Sequence, residues 1–370
     1  MEISKQSQNA GDNSTQIQAG TINNNYYVTG IDENRARAIC QEEYAIARQN
    51  WTSEAAAIAD YRVHQLEDKL MPKMIAYDNT LKSFADPDFQ FTLRQAQISA
   101  ASSERESDYD MLSELLLHRV EQGQNRERRL GIRKAIEVVN QITDEALIGL
   151  TMVYVISKFF PISPDFKIGL SILDNLYGKI LDGKKLPVGE NWLEHLDLLS
   201  AIRLGIKGIN SFKKLEEYIP FLLSKYLVSG LEGNSEKLMK IKHEFMQCGI
   251  PLSCIVPYPL KQNYVYLNVT RNLEDLVITK ELDNGNTWEM KMNELQKETM
   301  SKAFSILNKD ESNNISLKKK LMEIWDTYPN LKLVKEWWNV LPCHFEITPV
   351  GAALANAYAH GKYPSIPNLY

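Results

Sequence analysis

Cysteine is scarce. The 370-residue chain holds four, Cys40, Cys248, Cys254 and Cys343, none in a C-x-x-C spacing, which excludes a disulfide framework and a zinc knuckle and suits a reducing cytoplasm. A strong excess of either charge is also missing. The 47 acidic and 42 basic residues leave a formal charge of -5, so no global field draws the chain to polyphosphate or to an anionic bilayer. The N-terminus, Met1-Glu2-Ile3-Ser4-Lys5 followed by Gln and Asn, lacks the apolar core of a secretory signal, and export by that route is not expected. No apolar run is long enough to cross a membrane. The most apolar stretch, residues 146–160, is interrupted by Thr151, Ser157 and Lys158 and stops at Pro161, short of the roughly 20 residues a bilayer demands. It reads as a buried core helix. A nucleophile elbow and a metalloprotease helix are absent as well.

What is present divides by composition. Residues 1–30 form an island of Gln, Asn, Gly, Ser and Thr, uncharged after Lys5 except for Asp12. With a period of about ten, Gln6-Ser7-Gln8-Asn9-Ala10 falls over Gln16-Ile17-Gln18-Ala19-Gly20, and that over Tyr26-Tyr27-Val28-Thr29-Gly30. Such rungs suit a short β-solenoid-like stack in which Ile17 and Tyr27 point one way and Gly20 and Gly30 turn corners. Three rungs bury too little to offset their ordering entropy alone, so the leader reads either as an assembly tag that works in several copies or as a disordered polar tail.

The rest is expected to be mainly α. Residues 31–140 form an amphipathic helical region, with one face through Ile39, Ala45, Ala47, Trp51, Ala55, Ile58, Ala59, Tyr61 and Val63, punctuation at Pro72 and a helix start at Asp86-Pro87. Residues 141–370 form a mainly helical domain opened by an N-cap at Thr143, with further helices expected over 165–181, 192–204, 212–227, 235–246, 294–307, 317–328 and 331–340. A small antiparallel β-hairpin or meander interrupts them at 264–292, around the Asn284-Gly285 turn. The end, 315–370, has the order of a winged-helix-like unit, with Thr348 capping and Pro349 starting the last helix. Its Ala-rich last helix carries no basic recognition face, so packing is the expected role.

Candidate chemistry is sparse. Gly178-Lys179-Ile180-Leu181-Asp182-Gly183-Lys184-Lys185 nearly spells a P-loop, but a helix precedes it and Lys185 stands where magnesium needs Ser or Thr. His243, Cys248, Cys254, Cys343 and His344 match no zinc spacing, and neither a metal nor a cofactor is expected. Glu194, His195 and Asp197 lie too close along one helix to act together. The weak catalytic candidates are Asp283, Glu289 and Lys291, an acid followed by Glu-x-Lys as in magnesium nucleases, although alternating Glu and Lys also describes any solvent-facing strand. The weak nucleic-acid candidates are Arg126, Arg128 and Arg129, continued by Arg133 and Lys134; such a run is ordinarily a solvated helix face.

The leader motif from Gln8-Asn9-Ala10-Gly11-Asp12-Asn13-Ser14-Thr15 to Ile17-Gln18-Ala19-Gly20, with the closing Ile347-Thr348-Pro349-Val350-Gly351, resembles an uncharacterised bacterial family. More distantly, the helical body and its Thr-Pro-x-Gly ending are similar to abortive-infection proteins of the alpha type. The resemblance implies a cytoplasmic bacterial protein acting in antiviral defence through assembly, and it transfers no catalytic residue. The expected function is therefore non-enzymatic self-association into a homo-oligomer, with a phage or host protein as trigger, no small-molecule cofactor and no constitutive membrane insertion. The oligomerisation candidates are Ile17, Gly20, Tyr27 and Gly30. The rivals are a metal-dependent nuclease using the 283–291 hairpin and a membrane-perturbing effector working through the N-terminal helices.

Overall fold

Short polar side chains start most of the helices. Thr52, Asp86, Asn125, Thr143, Asp165, Ser235, Asn293, Asn314 and Thr348 each accept a hydrogen bond from a backbone N–H of the following first turn, satisfying donors that a helix start otherwise leaves open. The structure, a computed structural model, describes residues 31–48, 51–122, 125–205, 212–269, 272, 276–281 and 287–367. In chain order these give α1 (Glu33–Arg48), α2 (Ser53–Tyr77), α3 (Pro87–Ser102), α4 (Glu106–Glu121), α5 (Arg126–Val138), α6 (Asp144–Lys158), α7 (Phe166–Leu181), α8 (Asn191–Leu198), β1 (Ile202–Leu204), α9 (Leu215–Leu222), β2 (Leu231–Glu232), α10 (Glu236–Cys248), β3 (Ile255–Pro257), β4 (Tyr264–Leu267), β5 (Val277–Glu281), β6 (Thr287–Lys291), α11 (Glu294–Leu307), α12 (Ile315–Trp325), α13 (Pro329–Trp338), β7 (Phe345–Ile347) and α14 (Pro349–Lys362). The chain is mainly helical with small antiparallel sheets, as its sequence implies.

α6 carries the longest apolar run, and every residue from Ala146 to Ile156 is buried. It packs against α7, α8 and α14, and α14 also lies on α4 and α5. One continuous hydrophobic cluster results, running from Ala36 to Ile366. A second, smaller cluster belongs to the mixed segment: Leu238, Ile241, Phe245 and Ile250 meet Leu267, Ile278, Met292, Met300, Ala303 and Leu307. There β4 pairs antiparallel with both β2 and β3, and β5 pairs antiparallel with β6.

Several local expectations shift. The helix expected over 192–204 stops at Leu198; Ser200 takes a left-handed backbone (φ 58°) and residues 202–204 form β1, paired with β7. A partner so distant in sequence overrides local helical spacing. The helix expected over 212–227 is shortened to α9 and followed by a turn of 3-10 helix at Ser224–Tyr226. Pro72 does not break the chain but lies inside α2, on its exposed side. Its cost of about 3 kcal/mol is outweighed by burial of Leu66, Leu70, Met71 and Met74 on the opposite face. The expected apolar face also divides: Ile39, Ala59 and Val63 are buried, but Ile58 and Tyr61 face solvent.

Candidate functional site

The core of the N-terminal half is not wholly apolar. α4 packs against α2, α3, α5 and α14, and it buries Asp108, Ser113, Glu114, His118 and Arg119 beside Met111, Leu112, Leu115 and Leu116. A buried charge costs several kcal/mol unless it is paired and hydrogen-bonded, so the partners of these groups decide what the helix can do.

Three ionic hubs follow one another along α4. At its start Arg105 spans Asp108 (Nη2 to Oδ1, 3.1 Å) and Asp144 (Nη1 to Oδ1, 2.8 Å), and Lys184 reaches the other oxygen of Asp144 at 3.1 Å. Ser103 donates its hydroxyl to Asp108; even so, burial pushes the Asp108 carboxyl above the ordinary carboxylate range. At the middle, Glu114 receives Lys73 Nζ of α2 at 2.6 Å and His360 Nδ1 of α14 at 3.2 Å, while Lys73 also donates to Ser113 Oγ at 2.6 Å. Burial alone would raise Glu114, but the His360 and Lys73 contacts outweigh it and hold the carboxyl down at about 2. The same contact raises His360, against the opposing effects of its own burial and of Lys73.

At the far end Asp88, in the first turn of α3, gathers three guanidiniums. Arg119 of α4 and Arg133 of α5 bond it closely, and Arg129 of α5 lies at 3.3 Å. Burial opposes ionisation there, and the three arginines overcome it, so Asp88 is held below its usual range. Arg133 also lies over the Phe91 ring, 5.0 Å from its centroid. The Nε atoms of Arg119 and Arg129 are buried and donate to no described acceptor. In sum, α2, α3 and α14 are each tied to α4 by charge, and α5 joins through Asp88 of α3.

Of the residues singled out from sequence, Ile17, Gly20, Tyr27, Gly30 and Asp283 lie outside the described residues. Glu289 stands opposite Thr279 in the β5–β6 pair, and Lys291, opposite Val277, is exposed. Arg126 opens α5 and is exposed; Arg128 bonds Gln122 Oε1 at 3.1 Å. Of that basic run, Arg129 and Arg133 join the Asp88 hub. The near P-loop is the end of α7, with Asp182 (φ 48°) as a left-handed C-cap. Gly178 sits there because Asn330 Nδ2 would lie 2.8 Å from any Cβ, and Asp174 caps the start of α13 through the N–H groups of Asn330 (2.9 Å) and Leu331 (3.2 Å). His195 Nε2 accepts from the Thr143 N–H at 3.3 Å, while Asp197 accepts from the Leu204 N–H at 3.4 Å. Among the described residues no three His, Cys, Asp or Glu side chains gather where they could hold a metal ion, and no helix is long and apolar enough to cross a membrane.

A family model described as ":-like" matches residues 30–367. The chain belongs to that family. The match to the family spans all three hubs and leaves residues 1–29 outside it. No curated protein and no solved structure matches the chain.

Sequence reasoning passed over Lys73, Asp88, Glu114, Arg119 and His360. One signal was available. Glu114 and His118 fall on the apolar three- and four-residue spacing of Met111, Leu115 and Leu116, where a charged or polar group needs a partner. The identity of that partner, on α2 or α14, leaves no mark in the local pattern.

Proposed function

We propose that the protein is a non-enzymatic, self-associating bacterial protein of the cytoplasm, in which the leader of residues 1–30 gathers copies and the helical body responds to a partner, in the manner of abortive-infection proteins. One observation carries the reading. The α1–α2 hairpin, which follows the leader directly, leaves Ile46 (52 %), Ile58 (56 %) and Tyr61 (67 %) exposed, with Trp51 between the two helices also at the surface. Single exposed apolar side chains are ordinary; four on one hairpin beside a self-similar polar leader favour a surface that neighbouring copies cover. The two helices meet where these side chains lie: Arg48 pairs with Asp60 at 3.0 Å and the Tyr44 and Trp51 rings meet edge to face at 6.0 Å. The family match beginning at residue 30 supports treating the leader as a separate unit.

The test is the mass of the protein in solution by light scattering. The full chain should be multimeric, removal of residues 1–30 should lower its order without changing helical content, and Ile58→Ser with Tyr61→Ser should weaken what association remains. A truncated protein that keeps its full mass would sink the proposal.

A further inference from the structure

The smaller core is not closed. A cleft of about 320 Å³ opens beside it, walled by Ile250, Ile278, Met292 and Met300 from the core itself, with Cys254 just before β3 and Asn268 just after β4. Three features define what fits. Its volume lies at the lower end of the range of small-ligand sites and well above the 150 Å³ or so that holds a benzene ring. Its described lining contains no charged side chain, so an ionised guest would lose its hydration with nothing in return. And its wall carries one unmet polar demand: Asn268 Oδ1 is buried and accepts a hydrogen bond from no described residue, although the Asn268 backbone N–H is used by Cys254 O at 2.8 Å. The Cys254 thiol is occupied too, donating to Pro251 O at 3.0 Å.

From this geometry we infer a binding site for a small, uncharged, flat aromatic molecule bearing one N–H or O–H donor, its ring against Met292 and Met300 and its donor on Asn268 Oδ1. Methionine supplies the adaptable, polarisable wall that favours aromatic guests. The single acceptor supplies orientation and selectivity, because a buried acceptor left unmet costs about 1–3 kcal/mol and a guest that meets it recovers that cost.

Indole and 1-methylindole, which differ in the N–H, are the probes, titrated into the full chain by calorimetry with unfolding midpoints recorded in parallel. Indole should bind saturably and raise the midpoint, and 1-methylindole should bind on the order of tenfold more weakly. Asn268→Leu keeps the backbone contact to Cys254 and should erase that preference. Ser253→Trp, at the exposed rim of the cleft, should block both probes without altering the unliganded midpoint. Absence of saturable indole binding, a preference that survives Asn268→Leu, or binding indifferent to Ser253→Trp each overturns the assignment.

Discussion

Gly351 lies with its Cα directly against the carbonyl oxygen of Ala201, so closely that a Cβ would overlap it. That oxygen is also the acceptor for both the N–H (3.1 Å) and the hydroxyl (3.0 Å) of Thr348, and the Thr348 hydroxyl in turn accepts the Gly351 N–H at 3.2 Å. The Thr-Pro-x-Gly sequence is thus a joint: Thr348 caps α14, Pro349 fits the first turn, and Gly351 lets the helix start sit on the chain entering β1. Gly351→Ala should cost about 1–3 kcal/mol, as overpacking against an immovable backbone atom does, and Thr348→Val about 1 kcal/mol for the lost cap. Chemical denaturation of the two variants checks both; a stable Gly351→Ala protein would mean the joint is loose.

The Glu114 hub gives a pH dependence whose sign is fixed. His360 is raised above its ordinary 6.5 in the fold, so its contribution is complete below that value and fades as pH rises through the higher folded one. Glu114 is depressed from 4.5 to about 2, so its contribution is present above 4.5 and is lost only as pH falls through about 2. Both act together between these limits. The groups facing His360 are Glu114, Lys73 and Glu121. His360→Gln should therefore destabilise most near about pH 5.5 and progressively less towards about pH 9, read as the difference in unfolding free energy between variant and parent across pH. A difference that grows with pH would show that His360 is not the cation at this hub.

The Asp88 hub predicts an asymmetry. Asp88→Ala leaves Arg119, whose side chain is only 5 % exposed, with Asp86 at 3.6 Å as its nearest remaining carboxylate. The expected loss is about 1–3 kcal/mol, since the buried guanidinium is stranded while the part-exposed carboxylate it loses was partly screened by solvent. Arg129→Ala leaves Asp88 with Arg119 and Arg133, and should cost less than about 1 kcal/mol. Equal losses in thermal denaturation would show that the three arginines do not share one carboxylate.

α6 offers the plainest test. Leu150 is fully buried in the middle of a helix buried along eleven consecutive residues. Leu150→Ala should cost about 2–5 kcal/mol, and Leu150→Asp, which adds an unpaired charge, should abolish soluble expression. A well-expressed, equally stable Leu150→Asp protein would place α6 at the surface.

What was readable in the sequence was local. The caps at Thr143 and Thr348, the burial of α6, the limits of α11 and the β5–β6 strands all follow from spacing and turn chemistry within a few residues. What was not readable is long-range. β1 becomes a strand because β7 lies beside it, Pro72 stays in a helix because the opposite face is buried, and Lys73, Glu114 and His360 meet only because α2, α4 and α14 converge. The Arg126–Arg133 run was visible as charge, but the acceptor of Arg129 and Arg133, Asp88, stands on α3. Gly351 is the mixed case: its motif is legible as a helix start, while the carbonyl that demands glycine is Ala201.

The place of α14 in the chain bears on how the protein is made. α6 ends at Lys158, and α14, which fills the slot between α4, α5 and α6, begins at Pro349. At about 5–20 residues per second, roughly 190 residues of translation separate the slot from its occupant, on the order of 10 to 40 s. Throughout that interval Glu114 waits without His360, and the apolar flank of α6 faces whatever the ribosome's surroundings provide. The leader and the α1–α2 hairpin are by then already outside the exit tunnel. Biogenesis therefore sets a timing problem: one flank of α6 stays uncovered until the last helix is made, and a helper that shields it until α14 arrives would guard the newborn chain against premature clustering.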